Sequence, residues 1–145
     1  MIRRASVEDL AAIVAVRTSV KENHLSVAEM VARGITSERI IGEMNSEKLG
    51  GWVAESEGEI VAFVMADRDD AQIFALFTLA GFERRGYGAR LLDLALAWLK
   101  SHGHTEAWLS TGRDTRAQSF YQRRGWHLSS DDPNDASDIL LSKPL

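Results

Sequence analysis

The chain has 145 residues, enough to bury a core in one compact domain without covalent staples. It has no cysteine, which excludes a disulfide framework, a thiolate nucleophile and a Cys-containing zinc site, and predicts a reducing, cytoplasmic home. A formal net charge of −4, with both signs mixed along the chain, argues against a nucleic-acid surface, so an anionic ligand needs a local positive site.

The opening residues meet charges at once, and no later run approaches the ~20 apolar residues of a membrane span, so no membrane partner is expected. Without repeats, low-complexity tracts or a Pro/Ser-rich linker, residues 1–145 read as a single domain. Residues 2–5 predict a short strand. Ser6 with Asp9 opens a helix that carries Leu10, Ile13, Val14 and Val16 at helical spacing and ends near Ser19. Ser26 and Glu29 form a capping box, and Thr36-Ser37 caps a helix reaching about Asn45. These pieces are expected over one end of a sheet. Residues 52–55 and 60–66 form a hairpin around a turn at 56–59 that carries Gly58. A second turn at 67–70 returns the chain into an almost continuously apolar strand, 72–79. A glycine-rich loop and a leucine-rich helix follow, closed by His102-Gly103. Then come a strand at 106–111, a helix at 115–124 stopped by Gly125, and strands at 126–130 and 138–142. The order is mixed α/β, with antiparallel hairpins first and strand–helix–strand later.

The loop from Gly81 to Arg90 carries the strongest chemical signal. A helix N-terminus presents unpaired N–H groups and a partial positive charge, which together bind phosphate. Gly86 and Gly88 let a ligand approach the main chain, and Arg84 and Arg85 add charges suited to bidentate phosphate contacts. An ATP-binding phosphate loop requires a Gly-Lys-Ser/Thr ending, whereas Gly88 is followed by Ala89-Arg90. A dinucleotide loop requires a third small residue and a place at the start of a βαβ unit, and this loop has neither. A plain tight turn would need only the two glycines. CoA is the remaining ligand.

Here the residues resemble the GNAT superfamily of acyl-CoA-dependent N-acetyltransferases. Its pattern Gln/Arg-x-x-Gly-x-Gly/Ala, between an apolar strand and a leucine-rich helix, is matched at its centre by Arg84-Arg85-Gly86-Tyr87-Gly88-Ala89. Its second pattern, Asn-x-x-Ala-x-x-Leu/Phe-Tyr-x-x-x-Gly-Phe, is met from Asp114 through Ala117, Phe120 and Tyr121 to Gly125-Trp126. Glu83 replaces the usual Gln or Arg, and Asp114 the usual Asn, so Glu83 is expected to point away from the phosphates. The resemblance implies a GNAT-like α/β fold: a central mixed, mostly antiparallel sheet flanked by helices. It implies acetyl-CoA as co-substrate, no metal, and cofactor contacts at Arg84, Arg85, Gly86, Tyr87, Gly88 and Ala89. It also implies main-chain contacts from Leu76, Phe77 and Thr78, where the strand splays at a bulge.

Tyr121 by residue type alone reads as a packing aromatic beside Phe120, Trp126 and Trp108. The resemblance makes it the general acid that protonates the CoA sulfur as a primary amine of a small molecule or peptide attacks. Gln72 and Leu109 stand where some members carry a general base, and neither can accept a proton. Glu22 and His24, in the loop expected beside the acceptor, are the substrate-binding candidates. Glu22 with Asp67, Asp69 and Asp70 could form an acidic pocket for a cationic amine. The four histidines are scattered, which argues against a metal site. A CoA-binding sensor or degenerate module without turnover is the alternative function. Many members pair as homodimers, and no surface of this chain is singled out for that.

Overall fold

The computed structural model describes residues 1–145. After strand β1 (Ile2–Arg4), the Ser6 N–H donates to the Asp9 carboxylate at 2.8 Å, and a 3-10 turn leads into α1 (Leu10–Ser19). Ser26 and Glu29 form a reciprocal capping pair at the start of α2 (Val27–Ala32). The Thr36 hydroxyl accepts the Arg39 N–H to open α3 (Ser37–Asn45). All three starts lie where the cap residues place them.

Three antiparallel strands follow: β2 (Leu49–Ser56), β3 (Glu59–Asp67) and β4 (Gln72–Thr78). Glu57 and Gly58 join β2 to β3 with φ of 52° and 79°, the paired left-handed conformation whose twist suits a two-residue hairpin. β2 starts three residues before its apolar run. Tertiary packing sets this end, because a Cβ on Gly50 would stand 2.8 Å from the Trp98 ring, so only glycine lets the helix and strand approach.

The chain continues through α4 (Tyr87–Ser101), β5 (Glu106–Gly112), α5 (Arg116–Arg123), β6 (His127–Asp131) and β7 (Asp138–Pro144). The seven strands form one sheet of order β1-β2-β3-β4-β5-β7-β6, in which only β4 and β5 run parallel. This is the mixed, mostly antiparallel α/β arrangement expected.

Strand alternation divides the core between the two faces. On β3, Ala62, Val64 and Ala66 pack with Leu91, Leu92, Ala95 and Leu99 of α4. Phe63 and Met65 point the other way, against Leu10, Ile13 and Val16 of α1 and Ile40 of α3. α1 and α3 therefore lie across a face of the sheet, where their apolar stripes have an apolar partner, so α3 does not sit over its end; α2 buries no residue.

One irregularity positions the site. β4 and β5 pair only at Gln72 and Trp108 and then part. Against β3, the register of β4 shifts between Ala75 and Ile73, which makes Phe74 the extra residue of a bulge. Beyond it, the β5-facing edge of residues 73–78 has no strand partner, and Leu76 and Phe77 border an opening. No helix is long and apolar enough to cross a membrane.

Candidate active site

At the end of β4 the chain enters a loop built from left-handed residues: Gly81 at φ 94°, Arg84 at 63° and Gly86 at 83°. Gly86 is the N-cap of α4 and no side chain caps the helix, so the N–H groups of Tyr87, Gly88 and Ala89 are left for a ligand. Such turns direct successive N–H groups into one concavity that suits an anion. Arg84, Arg85 and Arg90 surround it and none is in an ion pair; Arg85 stacks on Phe82 and Arg90 on Tyr87, at 4.8 and 5.5 Å.

The Glu83 carboxylate accepts the Gly81 N–H at 2.8 Å and also its own N–H. Those two bonds hold its pKa below the usual carboxylate range, and none of its hydrogen bonds goes to the α4 N-terminus. Asp114 sits at φ 60°, a conformation in which Asn and Asp are enriched, so a carboxylate can replace the amide here on backbone grounds. The two glycines differ. Only Gly86 needs a positive φ, while a Cβ on Gly88 would meet the Phe120 ring at an ordinary 3.6 Å.

Beside the parted strands lies a cleft of about 950 Å³, walled by α1, the α1–α2 loop, α2, β4, β5 and the start of β7. Leu76 and Phe77 border it, and so does Tyr121 from α5. Tyr121 packs edge-to-face on Phe120 and Trp126 at 5.3 and 5.6 Å, as its bland reading expects. Trp108 instead directs its indole N–H to the Asp70 carbonyl. Tyr121 is 6% exposed on the cleft wall, and its hydroxyl has no partner within the protein. Burial raises its pKa above the ordinary phenol value, so it stays protonated.

The loop candidates divide. His24 borders the cleft with Nδ1 held 2.9 Å from the Val20 carbonyl. Glu22 does not border it. Its carboxylate accepts the Arg116 N–H at 2.9 Å and so caps α5, because a helix N-terminus attracts a carboxylate more strongly than open solvent does. The next residue, Asn23, rests on Gly112, where a Cβ would overlap its Oδ1. The acidic pocket also dissolves. Asp67 binds Lys48 and accepts the Asp69 and Asp70 N–H groups, which makes these three aspartates the turn between β3 and β4, away from the cleft.

Four residues of the cleft escaped sequence reasoning. Ser110 Oγ lies 2.7 Å from Asp132 and 3.3 Å from Asp138. Burial first, then the neighbouring Asp135, raises the Asp138 pKa above the usual carboxylate value. Nothing in the sequence pairs these groups, since their meeting depends on the β5–β7 register, in which Gly112 faces Asp138. Arg17 lies on α1 at the apolar spacing of Leu10, Ile13 and Val14, and a charge on that stripe was the signal. No three His, Cys, Asp or Glu side chains converge as a metal site.

Residues 18–126 match the model of the acetyltransferase (GNAT) family. A probable N-acetyltransferase of Mycobacterium tuberculosis is 34% identical over 95 residues, covering 57% of this chain and 51% of that protein. An uncharacterized N-acetyltransferase of Mycobacterium bovis is 27% identical over 107 residues, 71% and 69% of the two chains. The match thus spans about half the length of the first relative. Among solved structures, PaiA N-acetyltransferase from Thermoplasma acidophilum in complex with coenzyme A superposes with a TM-score of 0.81 at 19% identity. That superposition covers 100% of this chain and 98% of the other. A GNAT-family acetyltransferase from Staphylococcus aureus gives 0.80 at 18%, with the same coverage. With three quarters of its length matched by the family model, the chain belongs to the GNAT acetyltransferase family.

Proposed function

We propose that residues 1–145 act as one N-acetyltransferase domain that moves the acetyl group of acetyl-CoA to a primary amine by direct attack. The observation that carries this reading is the anion nest at the α4 N-terminus, set directly after a strand that parts from its parallel neighbour. Acetyl-CoA supplies an activated thioester when bound. Tyr87, Gly88 and Ala89 would receive its pyrophosphate on their N–H groups, with Arg84 and Arg85 adding charge. Leu76, Phe77 and Thr78 would hold the pantetheine arm through their main chain.

Tyr121 protonates the departing sulfur. A buried, protonated phenol with no internal partner is free to donate where negative charge develops. Asp138 takes the proton of the attacking amine, directly or through water, because burial increases its proton affinity and it faces the cleft. A CoA-binding module without turnover would use the same loop, but it would have no use for a free hydroxyl and a proton-accepting carboxylate in the cleft. An amine panel read by mass spectrometry for acetyl-CoA-dependent products separates the two. Acetylated product supports transfer, whereas tight acetyl-CoA binding with no product from any amine would leave the binding module.

A further inference from the structure

Arg17 lies on the cleft wall with no hydrogen bond and no ion pair to the protein. Its Nη1 is sealed from solvent without a partner. The guanidinium carbon lies 4.0 Å from the centre of the Phe77 ring, and with Nη1 sealed the N–H donors left for the cleft are those of Nε and Nη2. Burial first, and then the charge of another cation, Arg33, lowers the Arg17 pKa to about 10. The carboxylates that line the same cleft are engaged elsewhere: Asp135 with Ser137 and, at 3.9 Å, with Arg33, and Asp132 and Asp138 with Ser110. A guanidinium withdrawn from water without a counter-charge destabilises a fold, so a chain that keeps one on an apolar wall has a use for it.

We propose that Arg17 is an anion subsite of the acceptor cleft, and that the amine acetylated here carries an oxyanion, a carboxylate or a phosphate, which the guanidinium binds. This rests on the transferase reading for the identity of the cleft. It is independent of the phosphate loop, which has its own arginines and lies outside the cleft wall. The Arg17 fork holds the acceptor's anionic end against Phe77, and the amine is left toward the Tyr121 side.

The test uses matched pairs: common α-amino acids, β-alanine and γ-aminobutyrate against their methyl esters, and phosphoethanolamine against ethanolamine. Acetylation is read in wild type, Arg17→Met and Arg17→Lys. Wild type should favour the anionic member of at least one pair. Arg17→Met should lose about 10- to 100-fold in kcat/KM on that member, the range of a charge-assisted hydrogen bond, while the uncharged member is unaffected and Arg17→Lys recovers part of the loss. Acetyl-CoA affinity should stay at the wild-type value. The melting temperature of Arg17→Met should equal or exceed that of wild type, since an unpaired charge has been replaced by an apolar side chain of similar reach. Equal rates on both members, no turnover of any anionic amine, or a lower melting temperature in Arg17→Met would each overturn the subsite. Failure of wild type to bind acetyl-CoA would instead overturn the transferase reading, and the melting comparison would still judge Arg17.

Discussion

At the scale of single residues, the site rests on side chains with few internal partners. Removing the Tyr121 hydroxyl as Tyr121→Phe keeps the ring packing on Phe120 and Trp126. Stability should change little while kcat falls by about 10²-fold, the low end for general acid catalysis, with acetyl-CoA affinity kept. Full kcat in the folded variant would reduce the phenol to packing. Asp138 gives a prediction of opposite sign for stability. A carboxyl whose folded pKa is raised binds its proton more readily in the native state, so its ionised form opposes folding above that pKa. Asp138→Asn should therefore match or exceed wild-type stability at neutral pH while turnover falls. The acid limb of the wild-type rate profile should lie above the ordinary aspartate pKa of about 3.9. Loss of both stability and activity would make Asp138 structural. Legibility at this scale was uneven. Tyr121 stood in a motif, but Asp138 came to line the cleft only through cross-strand register, and the bond from Glu22 to the α5 N-terminus joins residues 94 positions apart.

At the scale of elements, caps and turns were readable because each depends on two or three neighbouring residues. Ser26 with Glu29, Thr36, and Glu57-Gly58 fold as local chemistry directs. The early start of β2 was not, since it depends on Trp98 packing over Gly50 from distant α4. The α1–α2 loop belongs to the second kind, pinned by Glu22 on α5 and by Asn23 on Gly112. Glu22→Ala should remove a carboxylate from the α5 N-terminus, worth about 0.3–1 kcal/mol, and loosen this wall of the cleft. KM for the amine should then rise while acetyl-CoA affinity holds, and kinetics against both substrates would show it. An unchanged amine KM would mean the loop does not shape the acceptor side.

At the scale of the molecule, Arg3 ties β1 to both neighbours of the N-terminal turn, with bonds of 2.8 and 2.9 Å to Asp9 and 2.6 Å to Glu55. The Arg3 bonds hold the Asp9 pKa down at about 2. A depressed carboxyl stabilises the fold above its unfolded pKa of about 3.9, and that contribution fades as pH falls toward 2. Asp9→Asn should lower the melting temperature at pH 7 by more than at pH 2, and an equal drop at both would leave capping as the whole effect. The fold class was legible because strand periodicity, caps and two spaced motifs agreed. In the proposed function the loop after β4 joins the fold to acyl transfer, and calorimetric titration of acetyl-CoA into wild type and Gly86→Val measures it directly. A valine at φ 83° is strained and would deform the nest, so one-site binding in wild type and at least about tenfold weaker binding in a folded Gly86→Val protein are expected. Unchanged affinity in that variant, or wild-type binding of ATP or NADH in preference to acetyl-CoA, would contradict the assignment of the loop.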